Sequence, residues 1–264
     1  MSDAIELPYR GKSVVVTGAG GGIGAASARA FAAAGAAVIV NDIKADDAAT
    51  VVREIVAGGG QATVGVGDMT DPVQVDALIE LAVTTYGSLD VMFNNAGGAF
   101  PTPMLDIDHA EYRRLMALNF DSVYYGTMAA LRVMVPAGAG CILSTASTAS
   151  GAGLGAVAGL AVYGSAKAAV ISLMRSVAIE YGQQGIRANA ISPGAMDTPG
   201  LRAWLETLPG GVDAYNDAQP SGRLGRPEEI ADVAVFLASA RASFINGAVV
   251  PVDGAVHALL ATPQ

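Results

Sequence analysis

Tyr163 and Lys167 stand four residues apart in the run Tyr163-Gly164-Ser165-Ala166-Lys167. On a helix that spacing brings both side chains to one face, so a phenol and an ammonium can share a site. An ammonium favours phenolate over phenol and lowers the tyrosine pKa, which makes Tyr163 a candidate general acid/base near neutral pH. A core tyrosine beside a lysine that snorkels to the surface would give the same spacing.

A second feature lies near the start of the chain, Thr17-Gly18-Ala19-Gly20-Gly21-Gly22-Ile23-Gly24. Glycines here let the main chain approach a pyrophosphate, and a helix N-terminus attracts its charge. A tight turn in an alanine- and glycine-rich chain is the plainer reading. Asp42 follows Gly24 by 18 residues. At the end of the second strand of a nucleotide-binding unit, an acid accepts hydrogen bonds from both ribose hydroxyls and repels a 2′-phosphate. Asp42 therefore favours NAD over NADP, with the cation of Lys44 softening that preference; capping the next helix is its other reading. Asp68, followed by Met69, is placed to touch an adenine edge or simply to close a turn.

These residues need elements to hold them. β-branched or apolar runs predict strands over 13–17, 37–41, 61–66, 89–93, 140–146, 186–191 and 248–252. Helices are expected over 25–34, 46–57, 71–86, 109–135, 163–181 and 227–238, with Asp71-Pro72 as a start signal and Pro136 as a stop. Strands separated by helices imply right-handed crossovers and an α/β fold: one Rossmann-type domain, a doubly wound parallel sheet with helices on both faces. Residues 192–226, rich in Pro and Gly, read as a mobile lid over the site.

Composition narrows the function. The chain has 264 residues, 52% of them apolar and only 15% charged, with 15 Lys+Arg against 24 Asp+Glu. That balance supplies ample core, and the net charge of −9 without a basic cluster argues against nucleic acid as a partner. One cysteine, Cys141, and two distant histidines, His109 and His257, leave no disulfide and no metal-ligand spacing. Acids near the amino terminus, where a signal peptide carries basic residues, point to a cytoplasmic protein. Residues 133–166 hold no charge, long enough for a membrane span, yet they contain Pro136, seven glycines and six Ser/Thr. Buried structure and a site loop, with no membrane, is the reading.

Taken together, the motifs resemble those of the short-chain dehydrogenase/reductase family. TGxxxGxG falls on Thr17, Gly18, Gly22 and Gly24, NNAG on Asn94 to Gly97, and YxxxK on Tyr163 and Lys167. Asn119 lies in Leu118-Asn119-Phe120 like the family's asparagine in its long fourth helix, and Pro193, Gly194 and Thr198 resemble PGxxxT. The likeness runs from about Lys12 to Gly254. It implies Tyr163 as acid/base, Lys167 as the residue that lowers its pKa and binds the nicotinamide ribose, and Asn119 as holder of a relay water. It also implies that Asn95, Ala96 and Gly97 line the cofactor and that Pro193 to Thr198, Met196 included, grip the nicotinamide carboxamide.

A serine at the end of the fifth strand would hydrogen-bond the substrate oxygen. Ser147 fits the strand register but precedes Tyr163 by 16 residues against the family's usual 13, whereas Ser150 has the usual spacing beyond the strand end. Strand register favours Ser147, since loops absorb insertions at little cost. The uncharged stretch 151–162, with Met104, Met196 and Trp204, points to a hydrophobic, uncharged substrate. The expected activity is NAD-dependent interconversion of a secondary alcohol and its ketone, by a homotetramer if the family's habit holds. An NADPH-dependent carbonyl or 3-oxoacyl reductase is the alternative; Asp42 and the absence of a basic residue within Gly18 to Gly24 speak against it, and the absence of basic residues over 133–140 speaks against carrier-bound acyl substrates. A dinucleotide-binding regulator without turnover would not need Tyr163, Lys167 and Asn119 together.

Overall fold

The computed structural model describes residues 8–150 and 157–259. Its strands are β1 (Ser13–Val16), β2 (Ala37–Asp42), β3 (Gln61–Val66), β4 (Val91–Asn94), β5 (Gly140–Thr145), β6 (Ile186–Pro193) and β7 (Val249–Val252). They form one parallel sheet in the order β3-β2-β1-β4-β5-β6-β7. The order reverses between β1 and β4, and such a switch point opens a crevice at the carboxyl ends of the strands.

Alternation along each strand sends side chains to opposite faces. Val15, Ile39, Met92 and Ile142 meet α3 (Pro72–Tyr86), α5 (Ser122–Ala137) and α6 (Ala161–Tyr181). Val14, Val16, Val38 and Phe93 meet α1 (Gly22–Ala33), α2 (Ala45–Ala57) and α9 (Pro227–Ala238). Both faces are covered, which is why the strands read as near-continuous apolar runs.

One expectation needs revision, and two gain detail. The helix expected over 109–135 is split into α4 (His109–Met116), a π turn at Ala117–Asp121, and α5. Asn119 sits in that turn and its Nδ2 donates to the Leu115 carbonyl at 3.0 Å. Pro136 lies inside the last turn of α5, which ends at Gly138 in the left-handed region, φ +69°. The segment 192–226 holds two short helices, α7 (Pro199–Leu205) and α8 (Gly211–Asp217). Thr198 caps α7 and Pro199 opens it, a start signal present in the sequence.

The span Ala161–Gln184, which begins with α6, is long and apolar enough to cross a membrane. In this fold it is a core element: Val170, Ile171, Met174 and Val177 are buried beside Ile186, Ala188 and Ala190 of β6. Of the apolar stretch 151–162 expected to wall the pocket, residues 151–156 lie outside the described residues.

Candidate active site

The loop between β1 and α1 is made of backbone brought close to backbone. Gly18 (φ +59°) and Gly22 (φ +51°) adopt the left-handed region. A Cβ on Gly18 would lie 2.9 Å from Ala96 Cα, and one on Gly24 would lie 2.2 Å from the Gly18 carbonyl oxygen. Ile23 packs against the core. The N-cap of α1, Gly21, offers no side-chain cap, and the first turn holds no acid. The first N–H groups of α1 therefore have no side-chain acceptor of their own, which fits the pyrophosphate of a dinucleotide.

At the end of β2 the Asp42 carboxylate accepts the Gly20 N–H and the Lys44 N–H, each at 3.0 Å. That places an acid beside the glycine loop. The Lys44 ammonium is drawn elsewhere, 3.9 Å from Asp47 Oδ2. Asp68 closes a turn: its Oδ1 accepts the N–H and hydroxyl of Thr70, both at 2.8 Å. Met69 is buried in the core, so its side chain belongs to packing.

Asn95 joins the ends of three strands. Its Nδ2 donates to the carbonyls of Thr17 (3.0 Å) and Gly18 (3.3 Å), while its Oδ1 accepts the Thr145 hydroxyl at 3.2 Å. The Thr17 hydroxyl in turn accepts the N–H groups of Asn95 and Ala96 at 2.9 and 3.0 Å. Sequence reasoning gave Thr17 and Thr145 no such role, although a hydroxyl residue closing an otherwise apolar buried strand was the available signal.

Asn119, fully buried, reaches from the π turn to the next stretch of chain: Oδ1 accepts the Gly98 N–H at 2.9 Å and Nδ2 donates to the Gly98 carbonyl at 3.1 Å. A Cβ on Gly97 would lie 2.8 Å from Asn119 Oδ1 and 3.0 Å from Lys167 Nζ. Asn119, Gly97 and Lys167 are thus brought together from three elements.

Lys167 is 1% exposed and donates to the Thr145 carbonyl at 2.8 Å. Burial pushes its pKa down to about 8. Its Nζ is 5.8 Å from the centre of the Tyr163 ring. Burial around the Tyr163 phenol pushes its pKa up, opposed by the Ser147 side chain. Desolvation disfavours phenolate and ammonium alike.

Ser147 lies near enough to the phenol to oppose the rise in its pKa, and its hydroxyl accepts the Ala149 N–H at 3.1 Å. The Ser150 hydroxyl is spent on the Ser147 carbonyl at 2.6 Å.

On the far side, Pro193 ends β6 and the Gly194 N–H donates to the Val252 carbonyl at 3.1 Å. A Cβ on Gly22 would lie 3.1 Å from the Thr198 methyl, so the base of the lid touches the glycine loop. Met196 is buried against Gly225, Met104 is 72% exposed, and Trp204 is partly exposed.

A family model described as enoyl-(acyl carrier protein) reductase matches residues 18–257. The chain is 44% identical over 251 residues to cis-4-hydroxycyclohexanecarboxylate dehydrogenase of Sinomonas cyclohexanicum, covering 93% of this chain and 96% of that protein. A solved 7α-hydroxysteroid dehydrogenase complexed with NADH and 7-oxo glycochenodeoxycholic acid superposes with a TM-score of 0.88 at 36% identity, covering 96% of this chain and 97% of that one. A gluconate 5-dehydrogenase from Burkholderia cenocepacia J2315, in complex with NADP and tartrate, gives 0.89 at 32% identity, with 97% and 98% covered. The glycine cradle, the tyrosine and lysine on α6 and these likenesses agree: the chain belongs to the short-chain dehydrogenase/reductase family, oxidoreductases that act on CH–OH groups.

Proposed function

We propose that this protein is an NAD-dependent dehydrogenase that interconverts an uncharged, hydrophobic secondary alcohol and its ketone. The observation that carries the reading is the meeting of Ser147, Tyr163 and Lys167 at the carboxyl end of β5, beside Gly97 and Asn119. A bound nicotinamide dinucleotide supplies the hydride acceptor or donor. Tyr163 exchanges the proton of the substrate hydroxyl, Ser147 hydrogen-bonds the substrate oxygen, and Lys167 lies behind the tyrosine. Gly18, Gly22, Gly24, Asn95, Ala96 and Gly97 would hold the nucleotide, with Pro193 to Thr198 on its nicotinamide side.

NAD is favoured by Asp42, whose carboxylate beside Gly20 would repel a 2′-phosphate, and by the position of the Lys44 ammonium toward Asp47. A neutral substrate is favoured by the lid: Arg202 is paired with Asp197, and Arg223 and Arg226 with Glu229. A substrate carboxylate would have to take an arginine from one of these pairs. Family membership and the exposed apolar side chains Ile179 and Phe244 support a homotetramer, which light scattering would test.

The test titrates NADH and NADPH against Trp204 fluorescence, with Asp42→Ala alongside. Tighter binding of NADH, with discrimination lost in the variant, supports the reading. Tighter binding of NADPH would overturn it and favour a reductase.

A further inference from the structure

The turn that follows β7 is strained and held by one carboxylate. Ala255 has φ +73°, the one residue other than glycine in the left-handed region among the described residues. A Cβ makes that conformation unfavourable, and such residues persist only where their surroundings hold them. Here the holder is Asp253, whose side chain is 2% exposed. It accepts the Ala255 N–H at 3.1 Å and the His257 N–H at 2.9 Å, and its oxygens lie 3.0 and 2.9 Å from His257 Nδ1.

The turn is wedged between the Gly194 loop and the lid segment. A Cβ on Gly194 would lie 2.9 Å from both Asp253 Cα and Cβ, so these two main chains are as close as they can be. On the other side a Cβ on Gly254 (φ +61°) would lie 2.7 Å from the Ser221 hydroxyl of the lid. Ser221 itself donates to the Arg223 carbonyl at 3.0 Å, just before Gly225, whose pairing with Met196 returns the lid to the Pro193–Thr198 loop. The circuit from Gly194 through Asp253, Gly254 and Ser221 to Met196 is closed.

We infer that Asp253 is a positioning residue for nucleotide binding: by holding the strained Ala255 turn, it fixes the Gly194 loop and seats the lid. This rests on the reading of residues 193–198 as the nicotinamide-side loop. A carboxylate that merely capped its own turn would change stability alone. One that positions the loop changes the affinity of the folded protein for nucleotide, and a glycine at 255 removes the need for it.

The experiment measures NADH affinity through Trp204 in the full chain at a temperature where each variant is folded. The variants are Asp253→Ala, Ala255→Gly and the two combined. Asp253→Ala is expected to weaken NADH about tenfold, and adding Ala255→Gly to restore it to within about threefold of wild type. Unchanged affinity in folded Asp253→Ala overturns the inference, as does a double variant that regains stability without regaining affinity. If Asp253→Ala does not fold, Asp253→Asn, which keeps one acceptor oxygen, must show a smaller weakening of the same kind, again relieved by Ala255→Gly. Wild-type protein that binds neither NADH nor NADPH would overturn the nucleotide reading itself, a distinct result.

Discussion

Lys167 donates its proton to the carbonyl oxygen of Thr145, at 2.8 Å, in a position that water does not reach. The pair gives stability a definite dependence on pH. In the unfolded chain Lys167 titrates near the ordinary 10.5, and in the fold near 8. Below about pH 8 both states carry the proton and the burial penalty is fully present. Between about 8 and 10.5 the unfolded chain binds more protons, so this residue's contribution to stability rises with pH. The urea midpoint of the wild type, relative to Lys167→Met, is expected to climb from pH 8 to 9.5. A constant difference over that range would contradict the buried ammonium.

Tyr163→Phe keeps the aromatic ring and removes only the hydroxyl. Turnover is expected to fall by about 10²- to 10⁴-fold, the usual range for a lost proton-transfer group. NADH affinity should stay within about threefold of wild type, because the hydroxyl contributes little to binding compared with its part in proton transfer. Steady-state kinetics and a fluorescence titration measure the two quantities separately.

The serines provide an internal control. Ser147→Ala removes the hydroxyl facing the phenol and is expected to lower kcat/KM about 10²-fold. Ser150→Ala removes a bond to the Ser147 carbonyl and should cost about 1 kcal/mol of stability with activity within about threefold. Reversal of these outcomes would assign the substrate oxygen to Ser150.

Gly24→Ala sets a Cβ 2.2 Å from the Gly18 carbonyl oxygen, a main-chain atom that cannot yield as a flexible side chain would. It is expected to destabilise the protein by about 1–3 kcal/mol and to abolish detectable NADH binding. Gly21→Ala, whose Cβ meets nothing within 4 Å, should unfold at nearly the wild-type urea concentration.

Much of this molecule was legible in its residues. The alternating apolar runs gave the strand and helix sequence because a sheet buried on both faces leaves a strong pattern. Gly18 and Gly24 were legible for a different reason: each marks a close approach to main chain that no side chain permits. What sequence could not supply was the outcome of competing local forces. Asn119 lies in a helical run that carries no breaker, yet its amide is bonded to Gly98, 21 residues earlier, and the helix there takes on a π turn. The protonation chemistry was hidden in the same way, since spacing places Lys167 near Tyr163 but burial moves both pKa values, the phenol's up and the ammonium's down.

The bonds made by Asn95 bear on how the chain folds. Thr17, Asn95 and Thr145 follow strands that are separated by long stretches of sequence, and β1, β4 and β5 must all be aligned before the side chain finds its partners. Contacts of such separation form slowly, after most loop-closure entropy has been lost. Nucleotide binding should therefore be among the last properties recovered on refolding, trailing the return of helical signal, and during synthesis it should be absent until β5 has left the ribosome.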